Sequence, residues 1–578
     1  MLAPTCRRLI AGLLLAASML APAQAQRGSD AKAIPPVQAV TARHGMVVAQ
    51  EARAARIGAA VLKRGGNAVD AAVAVGFALA VTYPRAGNLG GGGFMVIHLT
   101  RGRRDIAIDY RETAPAATTR ETYLDAQGRA DPAKSREFGL AVGVPGTVAG
   151  LALAHRKYGS GKFRLADLIA PAIAMAHDGI PVEGDTADSL HFARALLVRW
   201  PSSARIFMRR DGNPLAPGDR LVQTDLARTL DLIACHGPRA FYCGETARRI
   251  AAAVRAAGGL MTPADLWTYR AVERPVIRGS YRGYDIVSMP PPSSGGTLLV
   301  EMLNVLEGFD LRAGDPQSLH LMIETMRYAY ADRARLLGDP DFVKMPIKAL
   351  TSKPYAETIR AGIDRERAVP SREIKAGEPA AFEGDNTTHF SVVDRFGNAV
   401  ANTTTLNLGY GMGLVADGTG VLLNNELDDF AAAPGAPNAF GLVGFDANAP
   451  GPRKRPLSSM TPAIVLKDGR LFMVVGSPGG SRIITVVLQV MINVIDHGMS
   501  IAQAVQAPRI HHQWLPDEVI IEAAVPAETV QVLEARGHKV SVRPPLSSAN
   551  SILVTPQGLA GAADTRTRGA LAVGIEKF

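Results

Sequence analysis

Cysteine is scarce in this chain of 578 residues: there are three, and Cys6 lies in an apolar leader, leaving Cys235 and Cys243. That excludes a disulfide-stapled scaffold, and the spacing resembles neither a zinc site nor a catalytic thiol. Eight positions apart, the two are open to one local disulfide or to two free thiols. Aromatic residues make up only 6% and the basic residues are spread rather than clustered, so the formal charge of +10 describes a solvated surface and not a nucleic-acid-binding one. Past the leader no apolar stretch approaches the ~20 residues of a membrane span. No Pro/Ser/Gly linker, charge block or repeat of solenoid length is present. Length alone suggests three or four domains.

What is present begins with Arg7-Arg8, the apolar run Leu9 to Leu20, and Ala23-Gln24-Ala25, the charge, core and small-residue exit of a secretory signal with cleavage after Ala25. Without Arg7 and Arg8 the net charge is +8. The first half reads mainly as helices: Gln50–Arg64 stopped by Gly65-Gly66, Val69–Val81 capped by Asn67 and too apolar to be exposed, Pro145–Lys157, Leu165–His177, Thr224–Ala234, Glu245–Ala257 and His320–Leu337. Phe94–Leu99 and Arg104–Tyr110 read as strands. The second half alternates with period two. Thr388–Val393 and Ala399–Thr405 flank Gly397-Asn398; Ala463–Lys467 and Leu471–Val475 flank Asp468-Gly469, a strong hairpin signal. Gly476-Ser477-Pro478-Gly479-Gly480-Ser481-Arg482 then leads into an apolar helix, Ile483–Asp496. Helices with antiparallel hairpin sheets predict a layered α+β fold.

Four groups of residues carry possible chemistry. Thr387, at the start of an alternating run, is either an ordinary strand threonine like Thr388 or an N-terminal nucleophile: a threonine hydroxyl needs a base, and a free α-amine on the same residue is one at hydrogen-bond range. With reference pKa values near 7.7 and 10.4, roughly one α-amine in six is neutral at pH 7, against about one lysine in 2,500. Gly479-Gly480, at a strand-to-helix turn, either exposes N–H groups that suit an oxyanion or forms a plain turn. Arg111 can fork onto a carboxylate or pair with Glu112, and Ser458-Ser459 can serve the same anion or cap a turn. Asn424 to Asp429 concentrates amides and carboxylates for an ammonium, for calcium, or as a solvated turn; no EF-type spacing supports calcium. Gly90–Gly93 lacks a following Gly-Lys-Ser/Thr and precedes a strand, so it is read as close backbone packing rather than a phosphate loop. Adjacent His511 and His512 point to opposite faces and are read as structural.

Taken together, Asn386-Thr387-Thr388-His389-Phe390-Ser391-Val392-Val393-Asp394, Leu422 through Phe430, Lys454 through Met460, and Gly476 through Ile483 resemble the gamma-glutamyltransferase (gamma-glutamyltranspeptidase) family. The likeness continues through Gly87–Phe94, Asp109–Arg111 and His511–Trp514, so it covers nearly the whole chain. It implies an α+β fold of the N-terminal-nucleophile hydrolase type, a four-layer αββα sandwich built jointly by two subunits. The precursor would cut itself between Asn386 and Thr387 into a large subunit, 26–386, and a small one, 387–578, after loss of signal 1–25. Thr387 would then attack the γ-amide of glutathione or a related compound and pass the γ-glutamyl group to water or to an amino acid or peptide amine. Thr405 would orient its hydroxyl, and Gly479 and Gly480 would hold the oxyanion. Arg111, Ser458 and Ser459 would hold the α-carboxylate, and Asn407, Glu426 and Asp429 the α-amine.

The resemblance implies no metal and no cofactor, and an exported, periplasmic or secreted, protein. Ala431–Phe445 corresponds to a lid, in which Phe440 replaces a tyrosine that related bacterial enzymes latch to the residue equivalent to Asn407. Its rivals are a related acylase or capsule-processing enzyme, and a γ-glutamyl-peptide binding protein without catalysis.

Overall fold

The computed structural model describes residues 34–374 and 387–577; the leader and Asn386 lie outside the described residues. Two seven-stranded antiparallel sheets form its centre. One runs Leu571–Gly574, Met46–Ala49, Thr387–Val393, Ala399–Thr405, Gly92–Leu99, Arg104–Asp109, Val272–Arg274. The other runs Ala39–Ala42, Gly558–Ala563, Asn550–Thr555, Arg470–Val475, Ala463–Lys467, Tyr284–Ser288, Ile277–Tyr281.

Side chains alternate across a strand, so the inner strands of the first sheet feed two cores. Met46, Val48, Phe94, Val96, Ala399 and Ala401 belong to the core shared with the second sheet, whereas Val47, Ala49, Met95, Ile97, Phe390, Val392 and Val400 belong to a core made with the helices Ala52–Lys63 and Ala68–Thr82. This explains why Thr387–Val393 is buried at every position. A sheet covered on both faces tolerates no solvent-facing register.

Local signals are honoured where nothing competes. Asn67 and Asp70 form a capping box, and every residue of Ala68–Thr82 is buried. Asp468 and Gly469 take φ of 52° and 70°, as the two-residue hairpin turn requires. The helix expected from Pro145 instead spans Thr147–Tyr158, with the N–H groups of Gly146 and Thr147, which have no partner within the helix, donating to Gly91 O. The helix expected from His320 starts earlier, as Pro316–Leu336, with Asp315 capping Ser318 N. A Cβ on Gly90, Gly91 or Gly93 would lie 2.1–2.3 Å from a backbone carbonyl, which is the close packing expected there. Cys235 and Cys243 are free thiols. From Ile34 onward the chain forms one compact unit, so the domains suggested by length are not separate bodies. Among the described residues no helix is long and apolar enough to cross a membrane.

Candidate active site

Thr387 opens an inner strand of the first sheet, beside the central one, and pairs directly with Thr405. Directly opposed residues share a face, and Thr387 Oγ1 stands 3.4 Å from Thr405 Oγ1. Thr405 Oγ1 also accepts from Asn407 N at 2.9 Å. Asn407 itself adopts a left-handed φ of 75°, and its Nδ2 donates to Asn425 O at 3.0 Å. Thr387 is buried but for 6% of its surface.

Beside it, Arg111 lies just past the strand Arg104–Asp109, with its N–H on Asp109 Oδ1, its carbonyl held by Tyr269 Oη at 2.8 Å and its Nε donating to Pro456 O at 3.1 Å. Its two terminal nitrogens donate to Glu426 and Asp429. The neighbour considered as a default partner, Glu112, is 4.0 Å away and makes no hydrogen bond to it. Arg111 is fully buried, which alone would disfavour its charge, but Glu426 and Asp429 raise its pKa and keep it protonated.

Glu426 and Asp429 bracket a single 3-10 turn, Glu426–Asp429. Asn424 fastens this turn to the glycine loop: its Oδ1 accepts from Gly143 N and Glu426 N, and its Nδ2 donates to Gly90 O and Gly143 O. Burial pushes the Glu426 carboxyl up to about 8 against the pull of Arg111. One of its oxygens bonds Arg111, and the other, Oε2, is buried without a partner. Burial, with Glu426 nearby, also raises Glu112 well above the usual carboxylate range, and neither of its oxygens is bonded.

The opposite wall is Leu457-Ser458-Ser459-Met460 and the turn into the helix Ile483–Ile495. Gly479 and Gly480 take φ of 121° and 56°, a left-handed pair that glycine adopts without strain. The Phe440 ring lies on Gly480, so close that a Cβ there would be 2.4 Å from it. The segment carrying Phe440 is anchored to the carboxylate turn: Asn438 Nδ2 donates to Asp429 Oδ1 and Ala439 N to Asp428 Oδ2. Gln513 Nε2 holds the Phe440 carbonyl at 3.0 Å.

One pocket is therefore lined by Arg111, Thr387, Thr405, Asn407, Glu426, Asp429, Ser458, Ser459 and Gly480, residues scattered over 370 positions, together with Phe440, Leu442, Met460 and Ile483. Of the residues singled out from the sequence, Gly479 adjoins this lining and Asn386 lies outside the described residues. The free space is about 20 Å³, room for about one water.

His511 and His512 do not line it; His511 bonds Thr485 and Gln513, and His512 Nε2 faces Asp517 at 3.3 Å. Nor does the buried group His320, Glu324 and His538, whose potential ligand atoms lie within 4.8 Å of one another. There His320 Nδ1 and His538 Nε2 are 2.8 Å apart, the spacing of a mutual hydrogen bond, and Glu324 pairs with Arg327. The sequence reading missed Arg333, whose Nη2 donates to Ser459 Oγ at 3.3 Å. Its signal was present: with Met322, Met326 and Tyr330 it continues a buried stripe at helical spacing, where an arginine needs a reason.

A family model described as gamma-glutamyltranspeptidase matches residues 54–574. The glutathione hydrolase proenzyme of Escherichia coli (strain K12) is 52% identical over 533 residues, with 91% of each chain covered. A cephalosporin acylase from Bacillus halodurans superimposes with a TM-score of 0.82 at 28% identity, covering 94% of this chain and 97% of that one. The gamma-glutamyltranspeptidase of Helicobacter pylori gives 0.55 at 45% identity, covering 56% of this chain and 93% of that one.

Proposed function

The chain belongs to the gamma-glutamyltranspeptidase family, and from that premise we propose that it is an exported, self-processing γ-glutamyltransferase and glutathione hydrolase. The carrying observation is one pocket in which a threonine hydroxyl, a buried arginine, two carboxylates, two serines and a left-handed glycine meet.

The proposed maturation removes residues 1–25 and cuts between Asn386 and Thr387. It leaves a large subunit, 26–386, and a small subunit, 387–578, sharing a four-layer αββα sandwich. Strand order supports this: Thr387–Val393 lies between Met46–Ala49 from one side of the cut and Ala399–Thr405 from the other. A cut at its end would break one covalent bond and no ladder, so the two pieces stay interleaved as a heterodimer.

In the proposed reaction the α-carboxylate of a γ-glutamyl compound takes Arg111, Ser458 and Ser459, and its ammonium takes Asn407, Asp429 and Glu426, whose Oε2 is unpartnered. Arg111 thus exchanges part of its pairing with Glu426 and Asp429 for the incoming carboxylate. Thr387 Oγ, oriented by Thr405, attacks the γ-carbonyl carbon while the new α-amine of Thr387 takes the hydroxyl proton. The oxyanion lies against the N–H groups of Gly479 and Gly480, each such donor contributing about 3–4 kcal/mol to transition-state stabilisation. Collapse expels the leaving amine with that proton and leaves a γ-glutamyl ester on Thr387. Water or an acceptor amine then attacks the ester.

An acylase is the competing reading, and the ammonium side of the pocket separates the two. A substrate lacking the α-amine leaves Asp429 and Glu426 buried without their ammonium. With γ-glutamyl-p-nitroanilide and glutaryl-p-nitroanilide, kcat/KM is expected to favour the glutamyl compound by at least about 100-fold. The preference should widen as pH rises from 6 toward 8: Glu426 is neutral below its raised pKa of about 8 and anionic above it, and only the anion attracts an ammonium. A glutaryl preference sinks the assignment.

Phe440 covers the pocket without a hydroxyl to latch it. Phe440→Tyr is expected to lower KM and raise the transfer-to-hydrolysis ratio roughly 2- to 10-fold, the worth of one neutral hydrogen bond that keeps water out. Unchanged rates and affinity in a paired assay with and without an acceptor dipeptide would remove the lid from the explanation.

A further inference from the structure

We propose that Arg333 is a positioning residue for the α-carboxylate of the γ-glutamyl group, acting through the hydroxyl of Ser459 and the path of the Leu457–Ser459 loop. The inference rests on the γ-glutamyl reading and extends it to a residue that does not line the pocket.

Arg333 sits in the last turn of the Pro316–Leu336 helix and is 3% exposed. Its bonds all go to uncharged oxygens: Nε to Ser294 Oγ at 3.0 Å, and Nη2 to Ser459 Oγ at 3.3 Å and Leu457 O at 3.5 Å. A guanidinium only donates. Ser459 Oγ must therefore accept, and its hydrogen is left to point elsewhere. Ser458 Oγ is committed in the same way, accepting from Met460 N at 3.1 Å. Among the described residues neither hydroxyl donates to the protein, and both line the pocket, so the two O–H groups form a pair of donors set for an anion. The loop is further tied down because Ser294, which accepts from Arg333, donates from both Oγ and N to Ser458 O, at 2.7 and 2.8 Å.

Charge points the same way. Arg333 forms no ion pair with a described carboxylate, in contrast to Arg111, which donates hydrogen bonds to two. Burial disfavours its charge, Asp429 attracts it and Arg111 repels it. A carboxylate bound at Ser458 and Ser459 would supply a counter-charge beside Arg333, whose own bonds all go to neutral oxygens. An arginine is needed here rather than a lysine, because one rigid fork serves Ser294 and Ser459 together.

The test compares γ-glutamyl-p-nitroanilide with 4-aminobutanoyl-p-nitroanilide, which keeps the ammonium and the scissile amide but lacks the α-carboxylate. In Arg333→Gln and Arg333→Lys, KM for the glutamyl compound is expected to rise roughly 10- to 100-fold, the worth of a charge-assisted hydrogen bond. Its kcat, and both constants for the carboxylate-free compound, should change less than about 3-fold. In a Ser459→Ala background the Arg333→Lys change should lose most of its effect on the glutamyl compound. Equal losses on both substrates, or none on either, overturn the role of Arg333 and leave the enzyme reading intact. A wild type inert on the glutamyl compound overturns both. The lysine variant preserves the buried charge, so a folding loss in the glutamine variant alone does not decide the outcome.

Discussion

Thr387→Ala should run on a denaturing gel as one chain and lose γ-glutamyl hydrolysis and transfer by roughly 10⁴-fold or more, as expected when a covalent nucleophile is removed. The wild type should give two fragments near two-thirds and one-third of the mass. Both effects follow from the same atom. The hydroxyl is the attacking group on its own preceding carbonyl in the precursor and on the substrate afterwards, and the α-amine that serves as base appears only after the first attack. The substitution should leave the fold in place. Thr387 sits at the end of its strand, its ladder to Thr405 is made by backbone, and the hydroxyl–hydroxyl bond it gives up to Thr405 is a long one at 3.4 Å. Thr387→Ser, which keeps a hydroxyl, should mature and act, at a reduced rate. N-terminal sequencing of the smaller fragment and a γ-glutamyl-p-nitroanilide assay check these points. Normal maturation of the alanine variant would place the cut elsewhere and remove Thr387 from the mechanism.

Arg111→Met should lower kcat/KM on γ-glutamyl compounds by roughly 10³-fold and destabilise the protein by about 3–5 kcal/mol. The activity loss comes from removing the cation that meets the α-carboxylate. The stability loss has another source. Glu426 and Asp429 are buried beside it, and without Arg111 their charges are left uncompensated. Protonation would relieve part of this: without Arg111, which holds the Glu426 carboxyl down, its pKa moves above the wild-type value near 8, so the destabilisation relative to wild type should grow as pH rises above 8, where only the wild-type carboxyl ionises. Arg111→Met combined with Glu426→Gln should therefore recover a good part of the stability and none of the activity. Thermal unfolding of the two variants at pH 6 and pH 8.5 measures the first half of the statement, and kcat/KM the second. An Arg111→Met protein as stable as wild type at both pH values would show that the pair is not the buried, coupled unit described.

Much of the site was legible as an inventory. Thr387, Arg111, Asn424 to Asp429, Ser458-Ser459 and Gly479-Gly480 carry residue types whose chemistry suits a nucleophile, an anion clamp, an ammonium clamp and an oxyanion turn. The pairing was less legible. Glu112, adjacent in sequence, was the natural partner for Arg111, yet adjacent residues on an extended chain diverge, and the arginine reaches carboxylates more than 300 positions away. The position of Phe440 on Gly480 and the reach of Arg333 to Ser459 were likewise invisible, since each joins elements from separate parts of the chain.

By itself the sequence determined the local elements and the chemical inventory. Asn67 caps a helix because its short side chain reaches Asp70 N, and Asp468-Gly469 turns a hairpin because both residues accept positive φ, whatever surrounds them. The burial of Ala68–Thr82 followed from its continuous apolar run for the same reason, whereas the alternating strands Thr387–Val393 and Ala399–Thr405 are buried at every position because the fold covers both faces of their sheet. Only the tertiary structure decided which carboxylates neutralise Arg111, which hydroxyls are left as donors, and where the helix after Pro145 begins. Those outcomes depend on contacts whose loop-closure cost is met only by the whole packed core, so no single stretch of sequence specifies them.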